Sequence, residues 1–217
     1  MFLETETANL ILSLDISTAT IGIALFEDLG DRGKLKLLHH ISPKVKPIPD
    51  TKIEELFRKA RIFEEEFINK YKGLGIYKVI IEEPLLRSNN VNTVATLLRF
   101  NGMISKAIFE TLGVVPDFIS SYESRRFGFP ELMAIRTKDK KGIPYPEKEL
   151  KNKKPTLFGA YDWEVDKKEV IWQKVAILEP EVNWLYDKNK KLKKECWDMS
   201  DAYCAGIAEM KRIGKWK

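Results

Sequence analysis

The feature that most constrains the fold is a pair of apolar runs near the start of the chain, separated by a short polar turn. Residues 9–14 read Asn-Leu-Ile-Leu-Ser-Leu and lead into Asp15, and residues 21–26 read Ile-Gly-Ile-Ala-Leu-Phe. Apolar runs of this length with a polar turn between them predict two buried strands joined as a hairpin. Because burying an ionised carboxylate is costly, Asp15 is expected where the first strand leaves the core.

The order of the elements that follow predicts a mixed sheet flanked by helices. In chain order we expect a strand at 35–41, a helix at 51–71, a strand at 77–81, a helix at 91–112 and a strand at 114–120. The first helix opens with the capping-box pattern Thr51-Lys-Ile-Glu54, and its apolar residues repeat at helical spacing. Three strands followed by alternating helices and strands are typical of an α/β fold with a mixed five-stranded sheet.

The stretch from about residue 127 to residue 192 differs in composition from the rest of the chain. It is rich in lysine, proline and aromatic residues, and we interpret it as an insertion in a single domain that spans 1–217. One helix is expected within it near 165–178, and the final helix is expected from Asp198 to about Arg212. The aromatic residues of the insertion either form a small core that holds it on the domain or stack on splayed bases.

Two blocks of lysine hold much of the positive charge. The 217 residues include 37 Lys and Arg against 32 Asp and Glu, and the lysine blocks lie at 138–154 and 188–194. Each block either contacts phosphates or forms a solvated loop.

Cys196 and Cys204 are expected to be free thiols, because their spacing near the final helix is too long for an easy disulfide. Free thiols fit a reducing cytoplasm. No apolar run reaches the length of a membrane span, and the N-terminus lacks a secretory pattern, so no membrane partner is expected.

Four acidic residues at the ends of elements predict a divalent-metal site. Asp15 and Glu82 each end an apolar strand, and Asp198 and Asp201 are three residues apart, so they face the same way at the start of a helix. Carboxylates are ligands of Mg²⁺ or Mn²⁺, and two such ions can hold the attacking and leaving oxygens of a phosphodiester. For each single acid the alternative is a turn or a helix cap. Glu83, beside Glu82, leaves open which of the two acids serves the site.

Three segments of the sequence resemble the RuvC-type Holliday junction resolvases of the RNase H-like superfamily. They are the opening hairpin with Asp15 and Gly22, the strand end Ile-Ile-Glu-Glu-Pro at 80–84, and the helix start Asp-Met-Ser-Asp at 198–201. The resemblance implies an RNase H-like fold, catalytic metal-binding acids, branched DNA such as a four-way junction as substrate, and a homodimer. It also suggests a protein of a bacterium, or of a phage in its host cell, located in the cytoplasm.

Six residues are predicted to contact DNA: Arg87, Asn89, Asn90, Arg125, Arg126 and Lys167. The first three follow the acidic strand and carry donors for phosphates or base edges, although either asparagine is equally suited to cap the next helix. The resemblance implies the last three, two arginines after the fifth strand and a lysine in a Lys-x-x-Val pattern before the final helix. For these basic residues the alternative is a solvated surface position.

Two alternative functions are compatible with the same sequence. A nuclease with these acids could act on flaps or RNA–DNA hybrids, and a binding module would use the fold and the basic insertion without catalysis. The four acids argue against the binding module, because a surface that only binds a polyanion gains nothing from concentrated negative charge. The sequence therefore favours a Mg²⁺-dependent, structure-selective endonuclease.

Overall fold

A mixed five-stranded sheet forms the centre of the computed structural model, which describes residues 9–84, 90–159 and 161–216. The strands are β1 (Leu10–Ile16), β2 (Ile21–Asp28), β3 (Gly33–Ile41), β4 (Ile76–Glu82) and β5 (Asp117–Ile119). Their order across the sheet is β3-β2-β1-β4-β5. The first three strands pair antiparallel, whereas β4 pairs parallel with both β1 and β5. The carboxyl ends of β1, β4 and β5 therefore meet at one edge of the sheet.

Helices α1 (Lys52–Glu66) and α2 (Val91–Leu112) cover one face of the sheet. The Thr51 side chain caps α1 by accepting a hydrogen bond from the Glu54 backbone N–H, and Asn90 caps α2 in the same manner. The side chains that pack between these helices and the sheet include Leu12, Leu14, Leu56, Phe63, Phe100, Ile104 and Ile108. This face holds the first apolar core, which is the largest in the described part of the chain, and the second apolar core lies on the opposite face.

The opposite face is covered by α3 (Ser121–Gly128), α5 (Lys167–Leu178) and α6 (Glu195–Arg212), while the short α4 (Glu147–Leu150) lies in the connection before α5. α6 is buried along most of its length because it crosses the sheet directly. Its Glu209 carboxylate, 3.0 Å from the Lys78 ammonium of β4 and 2.6 Å from the Arg212 guanidinium, pairs with both cations. These contacts fix α6 against β4.

β1 illustrates why the strand sequences are nearly continuous runs of apolar residues. Successive side chains of a strand point to opposite faces, so Leu12 and Leu14 enter the first core while Ile11 enters the second. Because helices cover both faces, Ile11 is buried as completely as Leu12 and Leu14.

The structure confirms the predicted α/β fold with a mixed five-stranded sheet but differs from the prediction in several elements. β5 is shorter than the predicted strand at 114–120, because Pro116 has no N–H to donate to a ladder. α3 and the short α4 were not predicted, and α1 ends at Glu66, before the predicted end at 71. α6 begins at Glu195, so Asp198 lies within its first turn rather than at its start.

The tryptophans at the end of the predicted insertion pack against one another. The Trp172 ring lies edge-on to Trp184, with 6.0 Å between ring centroids, and edge-on to Trp197, at 6.3 Å. Trp184 also packs against the second apolar core. This arrangement agrees with the prediction of a small aromatic core. The single domain with an insertion at about 127–192 remains a prediction.

Both cysteines are free thiols, as predicted, and both are buried. Within the described ranges, none of the helices has the length and apolar character needed to cross a membrane.

Candidate active site

Asp15 and Glu82 lie side by side at the carboxyl edge of the sheet. Leu14 of β1 pairs with Ile81 of β4 in parallel register, and each acid is the next residue of its strand. Parallel pairing thus brings together two carboxylates that are 67 positions apart in the sequence. Glu83 is exposed, and its backbone N–H donates to the Ile119 carbonyl. Glu82 is therefore the acid of this pair that faces its charged neighbours.

α6 brings Asp198 and Asp201 to the same edge because its first turn lies directly on β2. Gly22, which pairs with Asp15 across the hairpin, makes this approach possible. A β-carbon on Gly22 would lie 2.0 Å from the Asp198 carbonyl oxygen and 2.8 Å from the Met199 nitrogen. Any side chain at residue 22 would clash with the backbone of α6, so α6 can lie this close to β2 only when residue 22 is glycine.

The four acids line one cavity of about 750 Å³, together with residues from β1, β4, α2, α3 and α5. The lining residues are Asp15, Ile16, Ser17, Glu82, Glu83, Pro84, Leu97, Ser121, Arg125, Val165, Asp166, Lys167, Lys168, Asp198 and Asp201. The structure therefore brings together all four acids that the sequence analysis selected.

Two cations approach the carboxylates. The Lys168 ammonium is 3.6 Å from the Asp198 carboxylate and 3.7 Å from that of Asp201, and the Arg125 guanidinium is 3.8 Å from Asp201. Four carboxylates therefore share two nearby cations, both of which lie within 4 Å of Asp201 and one of which lies within 4 Å of Asp198.

Burial and mutual repulsion raise the pKa of every acid in the cluster. Burial, followed by the charges of Glu82, Asp201 and Asp198, holds the pKa of Asp15 well above its ordinary value. Burial and the Asp201 charge raise the pKa of Glu82 to about 8, against the opposing effect of Arg125 and Lys168. Burial also raises the pKa of Asp198 to about 6 and raises that of Asp201, although nearby cations oppose both shifts. Ionisation of these acids is therefore costly unless cations approach them.

Within residues 9–84, 90–159 and 161–216, no group of three or more His, Cys, Asp or Glu side chains is arranged closely enough to hold a metal ion. The donor set is nevertheless the one that hard divalent cations use, since all four groups are carboxylates. Four carboxylate donors fit a Mg²⁺ or Mn²⁺ ion, whose charge would stabilise their ionised forms.

The predicted DNA contacts divide into three groups. Arg125 and Lys167 line the cavity. Arg126 is exposed elsewhere, with its guanidinium over the Phe127 ring, and Asn90 caps α2 by accepting hydrogen bonds from the backbone N–H groups of the second and third helical residues. Arg87 and Asn89 lie outside the described residues.

Sequence reasoning selected Lys167 and missed Lys168, the lysine that pairs with the acids. The local signal was Asp166, whose carboxylate accepts a hydrogen bond from the Lys168 backbone N–H and caps α5. This cap fixes where the helix begins and therefore which lysine turns toward α6. A similar signal marked α3, where Ser120 and Glu123 form a capping box that positions Arg125 in the last turn.

Comparison with solved structures identifies this architecture. The Thermus thermophilus RuvC structure superposes with a TM-score of 0.53 over 96% of this chain and 98% of its own, at 12% sequence identity. The chain has the RNase H-like fold of RuvC. T. thermophilus RuvC in complex with a Holliday junction substrate gives a TM-score of 0.55, with 94% of each chain covered and 11% identity. No protein-family model matches the sequence, and no curated protein matches it significantly.

Within this RuvC fold, the second apolar core joins the region after β5 to the sheet. Phe129, Leu157 and Val170 belong to the same core as Ile11 of β1 and Tyr203 of α6. The edge of the cavity formed by Lys167 and Lys168 is therefore held by the packing of α5.

Proposed function

We propose that this protein is a Mg²⁺-dependent endonuclease that cuts branched DNA, with Asp15, Glu82, Asp198 and Asp201 as the metal-binding acids. The observation that supports this proposal is the convergence of the four carboxylates on one cavity from two strands and a helix. Such a cluster weakens folding, because burial and repulsion both disfavour the charged forms. A purely structural role does not explain it.

The metal would be held by oxygen atoms of these four acids. Mg²⁺, or Mn²⁺ in its place, would supply an activated water as the nucleophile and stabilisation for the leaving oxygen. The Lys168 ammonium and the Arg125 guanidinium line the same cavity and would donate hydrogen bonds to the phosphate of the substrate. The Asp166 cap holds Lys168 in place, and Gly22 holds Asp198 close to Asp15.

Branched DNA is proposed as the substrate for two reasons. The chain has the fold of a protein whose structure was solved with a Holliday junction substrate. The chain also carries an excess of five positive charges despite its acidic cluster, which favours a polyanionic partner.

A side-by-side cleavage assay tests this proposal. Purified protein with Mg²⁺ should nick a synthetic four-way junction in opposed strands faster than it cuts a flap, an RNA–DNA hybrid or linear duplex. EDTA should stop the reaction, and Mn²⁺ should restore it. Faster cutting of the hybrid or the flap would assign the same acids to a different substrate, and no cutting of any of them would leave a binding module.

We further propose that the working form is a homodimer built on the outer face of α2. The inner face of this helix carries Phe100 and Ile104, which pack in the first core. On the outer face Val91, Leu98 and Phe109 are exposed by 78%, 47% and 53%. Their spacings of seven and eleven residues correspond to about two and three helical turns, so they form one apolar stripe. An exposed apolar stripe of this kind suits self-association across a two-fold axis.

Leu98→Glu should convert the dimer to a monomer, because two charges would face each other across the two-fold axis. The expected result in light scattering after gel filtration is a shift from about twice the chain mass of 25.1 kDa to the chain mass. Lys34→Glu, an exposed change on the edge strand β3, serves as the control and should remain dimeric. A wild-type protein that is already monomeric at micromolar concentration would contradict the proposal.

A further inference from the structure

A second cavity, separate from the acidic one, lies within the predicted insertion. It has a volume of about 620 Å³ and is lined by Arg136, Thr137, Lys138, Asp139, Lys140, Gly142, Gly159, Tyr161, Asp162, Trp163 and Val165. This size lies in the range of pockets that hold small ligands or single groups of a larger one. Most of its lining comes from two loops, at 136–142 and 161–165.

Trp163 links the two loops. Its indole N–H donates to the Asp139 carbonyl at 2.9 Å, and the Arg136 guanidinium lies over its ring, 4.0 Å from the centroid. Arg136 also donates to the Tyr161 carbonyl at 2.7 Å. Trp163 nevertheless remains 38% exposed. The cavity therefore contains an aromatic ring and a stacked cation that are already held in position.

The loop that carries the lysines is built by its own hydrogen bonds. The Asp139 carboxylate accepts hydrogen bonds from the backbone N–H groups of Lys141 and Ile143, each at 2.8 Å. A bridge between Lys138 and Pro144 closes the base of the loop. The Asp139 carboxylate therefore stabilises the turn by hydrogen bonds to its backbone. The Lys140 ammonium lies 5.6 Å from the centroid of the Trp163 ring. These contacts argue against the alternative of an unstructured, solvated lysine loop.

The charge of this region selects an anionic ligand. Residues 136–154 contain eight Lys and Arg residues and three Asp and Glu residues, an excess as large as that of the whole chain. Backbone phosphates are the ligands of such clusters, and an exposed aromatic ring adds a surface on which a base can stack.

The second cavity is next to the acidic one. Val165 lines both cavities, and Lys167 and Lys168 follow it directly into the acidic site. Five peptide steps separate Trp163 from Lys168, so their Cα atoms are at most about 18 Å apart. At about 3.4 Å per nucleotide along a strand, this distance corresponds to no more than about five nucleotides.

We propose that this cavity binds an unpaired nucleotide of the substrate strand, within about five nucleotides of the cut phosphate. A paired duplex exposes base edges and phosphates but not base faces, whereas unstacked nucleotides at a branch expose both. A concave site that combines a Trp–Arg stack with lysines therefore fits an unpaired nucleotide better than a duplex arm. This inference rests on the proposed function, because it assigns a substrate contact beside the same acids.

The first test is the binding of a labelled oligothymidine of about ten nucleotides in EDTA, followed by fluorescence anisotropy. Trp163→Ala should weaken binding by roughly 5- to 150-fold, the usual effect of removing one stacking ring. Trp163→Phe should retain most of the affinity, since a stacking ring remains. An equal loss for a short duplex would assign the cavity to a duplex arm and overturn the proposal.

Lys140→Ala tests the charge component without removing a packed ring. It should reduce the slope of log affinity against log salt by about 0.7, the value for one lost phosphate contact on a single strand. The matched control is Lys72→Ala, an exposed lysine that directly follows the 3-10 helix Ile68–Tyr71 after α1, and its slope should stay unchanged. An unchanged slope for Lys140→Ala would count against the proposal.

A scan of abasic sites locates the contact. In wild-type protein, loss of one base near the cut should slow junction cleavage at a single position, and Trp163→Ala should remove that dependence. Identical abasic profiles for the two proteins would overturn the inference while leaving the nuclease intact. Conversely, a wild-type protein that binds the oligonucleotide through Trp163 but cuts no branched DNA would refute the proposed function and leave the nucleotide site standing.

Discussion

Asp15→Asn should abolish junction cleavage while leaving junction binding unchanged within about threefold. Asp15 lies at the end of β1 beside Glu82 and within the electrostatic reach of Asp198 and Asp201. Asparagine keeps the shape of the side chain but removes the charge that holds a divalent cation. Loss of one preorganised electrostatic group typically lowers turnover by about 10²- to 10³-fold, and a direct metal ligand should cost at least as much. Single-turnover cleavage and a gel-shift assay in EDTA measure the two effects.

The same substitution should make the folded protein more stable. A carboxyl whose pKa is raised on folding contributes stability that is fully present below its unfolded pKa of about 4 and is lost as pH rises through the folded pKa. Burial and the neighbouring carboxylates raise the pKa of Asp15 well above its ordinary value. Wild-type protein in EDTA should therefore lose stability from about pH 4 upward, whereas the asparagine side chain of the variant has no charge to bury.

Thermal unfolding in EDTA between pH 5 and pH 9 shows the difference. The melting temperature of Asp15→Asn should exceed that of the wild type, and the gap should widen as pH rises. For a chain of this size, each kcal/mol corresponds to about 2–4 °C. Asp31→Asn, in the exposed turn after β2, is the matched control and should follow the wild type in both assays. Undiminished cleavage by Asp15→Asn would remove the proposed mechanism.

The sequence was sufficient to predict the strand-end acids because their positions depend on local pattern. An apolar run that stops at a charged residue marks the end of a buried strand, and this holds for both Asp15 and Glu82. The choice between Glu82 and Glu83 required three-dimensional information. It depends on the register of β4 with β1 and β5, which places Glu82 beside Asp15 and leaves Glu83 exposed.

The positions of the two cations at the site, Lys168 and Arg125, could not be predicted from local sequence patterns in the same way. Lys167 and Lys168 are consecutive, and the rotation of α5 about its axis decides which of them faces the acids. This rotation is set by the N-cap of α5 and by the packing of Val170 and Ile171 in the second core. α3 was missed because its eight residues carry too few apolar side chains for a periodic signal. The capping box formed by Ser120 and Glu123 is the local sequence signal for α3, the helix that carries Arg125.

The position of α6 relative to the hairpin is the long-range feature on which the site depends most, and Gly22 tests it directly. Gly22→Ala should lower the cleavage rate by about 10²-fold, the effect of a displacement near 1 Å between reacting groups. The added methyl would meet the Asp198 carbonyl carbon at 2.3 Å and its oxygen at 2.0 Å, and these backbone atoms cannot rotate away. α6 must therefore move off β2, which separates Asp198 and Asp201 from Asp15. Overpacking of this kind also costs about 1–3 kcal/mol of stability.

Gly102→Ala is the matched control, since it adds the same methyl group to a glycine with nothing within 4 Å of the new atom in the protomer. Because Gly102 lies on the outer face of α2, unfolding of the two variants is compared in the monomeric Leu98→Glu background. In the interior of α2 this change should stabilise the protein by about 0.5–1 kcal/mol. Thermal unfolding should therefore move in opposite directions for the two variants. Cleavage by Gly22→Ala should stay low even at temperatures well below its melting transition, because the displaced helix, not unfolding, causes the loss. A Gly22→Ala protein that cuts at the wild-type rate would show that the approach of α6 to β2 does not set the geometry of the acids.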